Sequence, residues 1–402
     1  MTAGAAFVTG ATGFIGGELL KRILEREPGR RIYALVRAES DEQAARRGRE
    51  AIFKLFTDDR EATDDAKARL RWVRGDLTKP ELGLSPQTRQ EVAAECDELF
   101  HAAASTEFDL PLDQAEAVNF AGAKAIGELA TRAAKGGKLK RLCHVSTAYV
   151  AGKRTGRILP TDLLGEKGPF NNTYEATKAK AERFLGTLRG EVPLTIVRPS
   201  IVVGDSATGR TYNFNVLYFP IKLIHRGLLK YAPARRVTTL DIVPVDYVCD
   251  ATLALARAPE ALGKTYHLTA DDDAMPIMEF VERLVAYYNV QRKQDGRPPL
   301  VPTRPVHPLL WGIVKWWLRR KLEGRAREQF EAFNIYLPYI TTEKRFDASE
   351  TRALLNSSVR YPRIAEYIER VAEYAVTREW GKRVSWDPSA LADSIAGVKA
   401  PE

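Results

Sequence analysis

Several things are scarce in this chain of 402 residues: it has 3 cysteines, 3 methionines and 5 histidines. Cys96, Cys143 and Cys249 are odd in number and far apart, which excludes a disulfide framework and fits a reducing compartment. The histidines form no cluster, so no metal is expected. No apolar run reaches the ~18 residues of a membrane span. "MTAGAAFVTG" has no basic leader and no cleavage site and runs straight into a strand, so a cytoplasmic location is expected. Nucleic-acid motifs and interleaved aromatic–basic arrays are missing too, and no nucleic-acid partner is expected. What is present is an ordinary apolar fraction of 45% and a net charge of +9, which favours anionic ligands such as nucleotides, coenzyme A or lipid headgroups.

Short apolar runs alternate with helix-like stretches. "AAFVTG", "RIYALVR", "LRWVRGDL", "CDELFHAAA", "KRLCHVSTAYV" and "LTIVRPSIVVG" read as buried parallel strands. Helical sequence lies between them at 13–26, about 41–69, about 113–135 and around 174–182. That alternation predicts an α/β fold, a doubly wound parallel (Rossmann) sheet with helices on both faces. "KTYHLT" reads as the last strand. Residues 1–270 are expected to form this domain, with a pocket insertion near 205–240, and 271–402 a smaller, mostly helical substrate-binding region. The aromatic stretch 211–233 fits either pocket wall or core helix. "LLWGIVKWWLRRKLEGRAR", about 309–325, fits either a packing helix or an interfacial membrane helix.

The first strand-to-helix turn reads "TGATGFIGG", with Gly10, Gly13 and Gly16 spaced G-x-x-G-x-x-G. Glycine there permits a tight turn and the approach of a pyrophosphate to the helix amino terminus. A protein selecting NAD usually carries an acid at the end of the second strand. Here that place holds Arg37, with Arg46 and Arg47 beyond it; arginine suits a 2′-phosphate, so NADPH is the expected cofactor. Ser146 and Thr147 end the fifth strand, where side chains face the ligand crevice, although hydroxyls there also cap loops. In "NNTYEATKAKAE", Tyr174 and Lys178 stand at i, i+4 on one helical face. An ammonium about 4 Å from a phenol favours phenolate by up to ~4 kcal/mol at an effective dielectric near 20. That is roughly three pKa units, so a lowered tyrosine pKa is expected.

With these pieces in order, the chain resembles the extended short-chain dehydrogenases/reductases, and within them the fatty acyl-CoA reductases and thioester reductase domains. The resemblance rests on "VTGATGFIGG", "YALVRAES", "GDLTKPELGL", "HAAASTEFD", "VNFAG", "HVSTAYVAG", "YEATKAKAE", "IVRPSIVVGDSATG" and "DIVPVDYV", and covers residues 5–270. It implies a Thr147–Tyr174–Lys178 triad, with Thr147 chosen over Ser146 by position relative to Gly152. It also implies Gly10, Thr12, Gly13, Phe14, Ile15 and Gly16 under the pyrophosphate, and Arg37 and Arg47 on the 2′-phosphate. Asp76 and Leu77 would flank the adenine, Ala102, Ala103 and Ala104 the cleft, and Pro199, Ser200, Ile201 and Val202 the nicotinamide, whose ribose Lys178 would hold.

The activity so implied is NADPH-dependent reduction of an acyl thioester, delivered by coenzyme A or an acyl-carrier protein, to aldehyde and on to alcohol. Two enzymatic alternatives share the constellation: an aldehyde or ketone reductase, and a sugar epimerase or dehydratase. Arg37 argues against the sugar enzymes, and a triad with all three members argues against a non-enzymatic nucleotide sensor.

Overall fold

The computed structural model describes residues 4–56, 64, 68–162, 169–214, 217–233, 238–356 and 358–382. Parts of the expected helical stretch 41–69 and the tail 383–402 lie outside them. Among the described residues, one parallel sheet contains β1 (Ala5–Thr9), β2 (Ile32–Arg37), β3 (Leu70–Gly75), β4 (Cys96–His101), β5 (Arg141–Val145), β6 (Leu194–Pro199) and β7 (Thr265–Leu268). In space the order is β7-β6-β5-β4-β1-β2-β3. The direction of winding reverses between β1 and β4, which opens a crevice at their carboxyl ends. This is the doubly wound sheet the sequence alternation predicts.

Helices α1 (Phe14–Arg26), α2 (Asp41–Leu55), α3 (Pro86–Glu95), α4 (Leu112–Lys135), α5 (Thr173–Thr187), α6 (Tyr218–His225) and α7 (Val245–Arg257) follow. The two-residue period of β1 divides its side chains between the faces. Ala6 and Val8 meet Leu19, Leu20 and Ile23 of α1 and Val248 and Leu255 of α7. Ala5 and Phe7 join Ile126 and Ala130 of α4 and Leu185 of α5 on the opposite face. Truncating a fully buried leucine here, such as Leu19, costs about 2–5 kcal/mol.

α5 starts at Asn172, whose Oδ1 accepts the Glu175 N–H at 2.9 Å. That cap sets the rotation of the helix and therefore the direction of Tyr174 and Lys178.

The later helices are α8 (Ile277–Gln294), α9 (Pro308–Lys321), α10 (Gly324–Ile335), α11 (Leu337–Thr341), α12 (Ser349–Leu355) and α13 (Ile364–Thr377). α12 joins the first core through Leu355, while α8, α11 and α13 build a second core. Tyr218, Ile221, Phe280, Leu284, Tyr339, Tyr367 and Ile368 pack there with Tyr149 and Ile158. The strand Lys344–Phe346 pairs in parallel with Gly156–Ile158. This core therefore draws on both sides of residue 270. The stretch 211–233 contributes to both expected roles: Tyr218 and Ile221 are core, while Asn213 faces a cavity.

On α9, Trp311 is buried, whereas Leu310, Ile313, Trp316 and Trp317 are exposed. Arg320 covers the Trp316 ring at 3.9 Å and Lys321 the Trp317 ring at 4.9 Å. Among the described residues, no helix is long and apolar enough to cross a membrane.

Candidate active site

The carboxyl ends of the strands open onto a cavity of about 690 Å³. All the candidate residues except Arg46, which is exposed, line it. One end carries Gly10, Thr12, Gly13, Phe14, Ile15 and Gly16, together with Arg37, Arg47, Asp76, Leu77 and Ala102–Ala104. The other carries Thr147, Tyr174, Lys178 and Pro199, Ser200, Ile201 and Val202.

At the first end the wall is main chain. Gly10 has φ +76°, and a Cβ there would lie 2.8 Å from the Ala102 carbonyl carbon. A Cβ on Gly16 would lie 2.3 Å from the Gly10 oxygen. The loop is closed by Gly13 N–H donating to the Gly10 carbonyl at 2.8 Å. α1 then begins with no side-chain cap and no acid in its first turn, which leaves its amide protons free for an anion. The cradle fits a dinucleotide pyrophosphate. Beside it, Arg47 donates to the Arg37 carbonyl at 2.6 Å, bringing its guanidinium over the end of β2. Asp76 accepts from the Thr78 N–H at 2.9 Å and hydroxyl at 2.7 Å, which fixes the turn after β3.

At the second end the two neighbouring hydroxyls part company. Ser146 donates to Glu182 Oε2 at 2.7 Å, away from the phenol. Thr147 lies within hydrogen-bonding reach of Tyr174 and donates to the Pro199 carbonyl at 3.4 Å. Glu182 is pinned by Arg198, whose Nε donates to Oε1 at 2.9 Å, and both are buried. Lys178, one turn earlier on α5, donates to the Val145 carbonyl at 2.8 Å.

Two expectations need correction. The lowered tyrosine pKa is not found: burial pushes Tyr174 up to about 12, with Thr147 pulling down and Glu175 adding to the rise. Among the described residues Lys178 and Tyr174 share no hydrogen bond, because the lysine is turned toward the end of β5. Burial also pushes Lys178 itself down to about 8, opposed by Glu182. Nor are the histidines scattered. His101 and His144 stack with ring centroids 5.1 Å apart, because the parallel register of β4 and β5 makes them neighbours. Among the described residues there is still no group that could hold a metal ion.

Other residues on the cavity wall carried no assignment from the sequence. Phe108, Tyr149 and Tyr339 form an aromatic wall beside Tyr174. Phe108 lies 5.7 Å from the Tyr174 ring and stacks on Tyr339 at 5.3 Å, and Tyr339 meets Tyr149 edge-on at 4.6 Å. The Tyr339 hydroxyl donates to buried Glu175 at 2.8 Å and accepts from Asn172 Nδ2 at 2.7 Å. Asn119 donates to Thr177 on α5 at 3.0 Å and accepts from Ser105 N–H at 2.8 Å, tying the loop after β4 to α5. Phe108, Tyr149 and Asn119 sit inside stretches that mark the resemblance, "VNFAG" being the available signal for Asn119, whereas Tyr339 lies outside them.

The family model described as "Male sterility protein", an NAD-binding family, matches residues 8–252. The chain belongs to the male sterility protein family. Among curated proteins, this member of the family is 24% identical over 440 residues to a probable fatty acyl-CoA reductase 5 of Arabidopsis thaliana, covering 86% of this chain and 88% of the plant protein. It is 30% identical over 278 residues to the nonribosomal peptide synthetase asaC of Aspergillus flavus, covering 66% of this chain and 26% of that protein. It thus spans about a quarter of the synthetase. Among solved structures, the terminal R domain of the myxalamid biosynthetic pathway superposes with TM-score 0.79 at 26% identity, covering 95% of this chain and 93% of that one. The male sterility family member described here is therefore an oxidoreductase of the extended short-chain dehydrogenase/reductase type that uses a nicotinamide dinucleotide.

Proposed function

We propose that the protein is an NADPH-dependent reductase of acyl thioesters that works through Thr147, Tyr174 and Lys178. The observation that carries this reading is that Thr147, Tyr174 and Lys178 line the same cavity as the glycine cradle, with Thr147 near enough to pull the Tyr174 pKa down. Arg37 and Arg47, with no acid at the end of β2, support NADPH over NADH. The aromatic wall supports an apolar acyl chain, as do relatives named for reducing fatty acyl-CoA.

The cofactor, when bound, supplies the hydride. Tyr174, held protonated by burial, donates its proton to the carbonyl oxygen as negative charge develops there. Thr147 donates a hydrogen bond to the same oxygen. Lys178 binds the ribose and, as the neighbouring cation, assists departure of the phenol proton. A thioester so reduced becomes a hemithioacetal, which collapses to aldehyde and thiol. With the hydride of a second NADPH, reprotonated Tyr174 would serve a further reduction of the aldehyde to alcohol.

The decisive experiment follows NADPH absorbance with palmitoyl-CoA, octanoyl-CoA, a carrier-bound acyl chain and the matching aldehydes. Consumption with a thioester is expected. Consumption with aldehyde alone would reassign the protein as an aldehyde or ketone reductase. The exposed stripe of α9, with Trp316 and Trp317 flanked by Arg320 and Lys321, supports peripheral contact with an anionic membrane in the same reading. Sedimentation with anionic and with neutral vesicles tests it: absence from the anionic pellet would remove that contact, and equal partition into both would remove its dependence on lipid charge.

A further inference from the structure

Thr9, His101 and His144 form one row across three adjacent strands. The parallel register sets Thr9 beside His101 and His101 beside His144. Thr9 Oγ1 and His101 Nδ1 lie 2.7 Å apart, and the two imidazoles stack. The three side chains are at most 1% exposed. The row ends at Lys178, whose Nζ lies 3.5 Å from His144 Nε2 as well as 2.8 Å from the Val145 oxygen.

An ammonium has three protons to donate and accepts nothing. The His144 nitrogen facing it is therefore the lone-pair nitrogen, and the ring proton sits on Nδ1. That Nδ1 is buried without a partner among the described residues. A buried donor left unmet is costly, and leucine would close this strand end without it. Packing therefore does not account for the imidazole.

The surroundings keep it neutral. Burial and the Lys178 charge hold His144 well below the usual histidine range, and they push His101 down to about 3. The other titratable groups around Lys178 are Tyr174 and Glu182, from its own helix. The Glu182 carboxylate is already engaged by Arg198 and Ser146.

We propose that His144 is a positioning residue. With the Val145 carbonyl it takes two of the three Lys178 protons, favours the cationic amine and leaves the third proton for the cavity. His101, stacked on it and bonded to Thr9, holds the imidazole in place. This rests on the part given to Lys178 in the proposed function.

The test is the pH profile of kcat/KM between about pH 6 and 10, which reports groups of the free enzyme. In the unaltered protein the alkaline limb is expected near pH 8, where Lys178 loses its charge. His144→Leu removes the acceptor and is expected to move that limb down by about one pH unit, or roughly tenfold in rate at pH 8.5. His144→Gln places an amide oxygen near the Nε2 position and is expected to keep the limb where it was. His144→Asn, one bond shorter, is expected to behave as leucine does and covers the case in which His144→Leu does not fold. An unmoved limb in both His144→Leu and His144→Asn would overturn the inference, as would a limb displaced as far in His144→Gln. Lys178→Met separates the two levels. If it stays active, the functional reading falls; if it is inactive while the limb of His144→Leu is unmoved, only the positioning role falls.

Discussion

The cavity is walled at its cofactor end by main chain from the carboxyl ends of β1 to β4, and at its far end by the rings of Phe108, Tyr149 and Tyr339. The first wall is set by φ angles and by distances between backbone atoms that leave no room for a methyl group. The second is set by side chains that approach from positions up to 231 residues apart (108 to 339) and hold one another by stacking and by the bonds of Tyr339 to Glu175 and Asn172. A backbone wall is rigid and intolerant of substitution. A side-chain wall tolerates changes of similar shape and is where substrate preference can vary without loss of the fold.

Four substitutions sharpen or break this contrast. The largest effect on cofactor binding is expected from Gly16→Ala, whose Cβ would press on the Gly10 carbonyl at 2.3 Å. NADPH binding should be lost beyond roughly 100-fold by fluorescence titration, since only the loop backbone can yield. Affinity kept within threefold would show that the main-chain wall is not rigid.

Next comes Tyr174→Phe, with kcat falling about 10²–10⁴-fold while NADPH affinity holds. Unchanged turnover in stopped-flow assays would remove the proposed acid. Arg37→Ala follows, with NADPH bound roughly 10–100-fold more weakly and NADH unaffected, the size of one or two hydrogen bonds to a charged group. An equal loss for both cofactors would mean that Arg37 supports the loop rather than reading the 2′-phosphate.

Tyr339→Phe should be the mildest. The ring keeps its stacking on Phe108, but Glu175 loses a donor inside the protein. Stability is expected to drop by about 1–3 kcal/mol in urea titration, with kcat changed only a few-fold. A loss of kcat as large as that of Tyr174→Phe would place Tyr339 in the chemistry and erase the distinction between the two walls.

Much of this site was legible because its signals are local. The glycine spacing of 10, 13 and 16 lies within one turn, and the strand alternation places that turn at a carboxyl end. Tyr174 and Lys178 share a helix, so their proximity follows from 3.6-residue periodicity. What their helix could not reveal is where the lysine turns, since that depends on the Val145 carbonyl and the His144 ring of β5. Burial likewise decided the tyrosine: the pair was expected to lower its pKa, and desolvation raises it instead. The aromatic wall stayed hidden for a related reason. Phe108, Tyr149 and Tyr339 each look like ordinary core residues until the chain folds them against one another.

The sequence by itself determined the doubly wound sheet, the glycine cradle and the identity of the residues at the strand ends, because each follows from periodicity or from the allowed φ of single residues within a few positions. Only the tertiary structure decided where the Lys178 amine turns, how the two histidines pair, and which C-terminal ring closes the cavity. Those depend on strand register and on packing between segments far apart in the chain, and no local pattern encodes them.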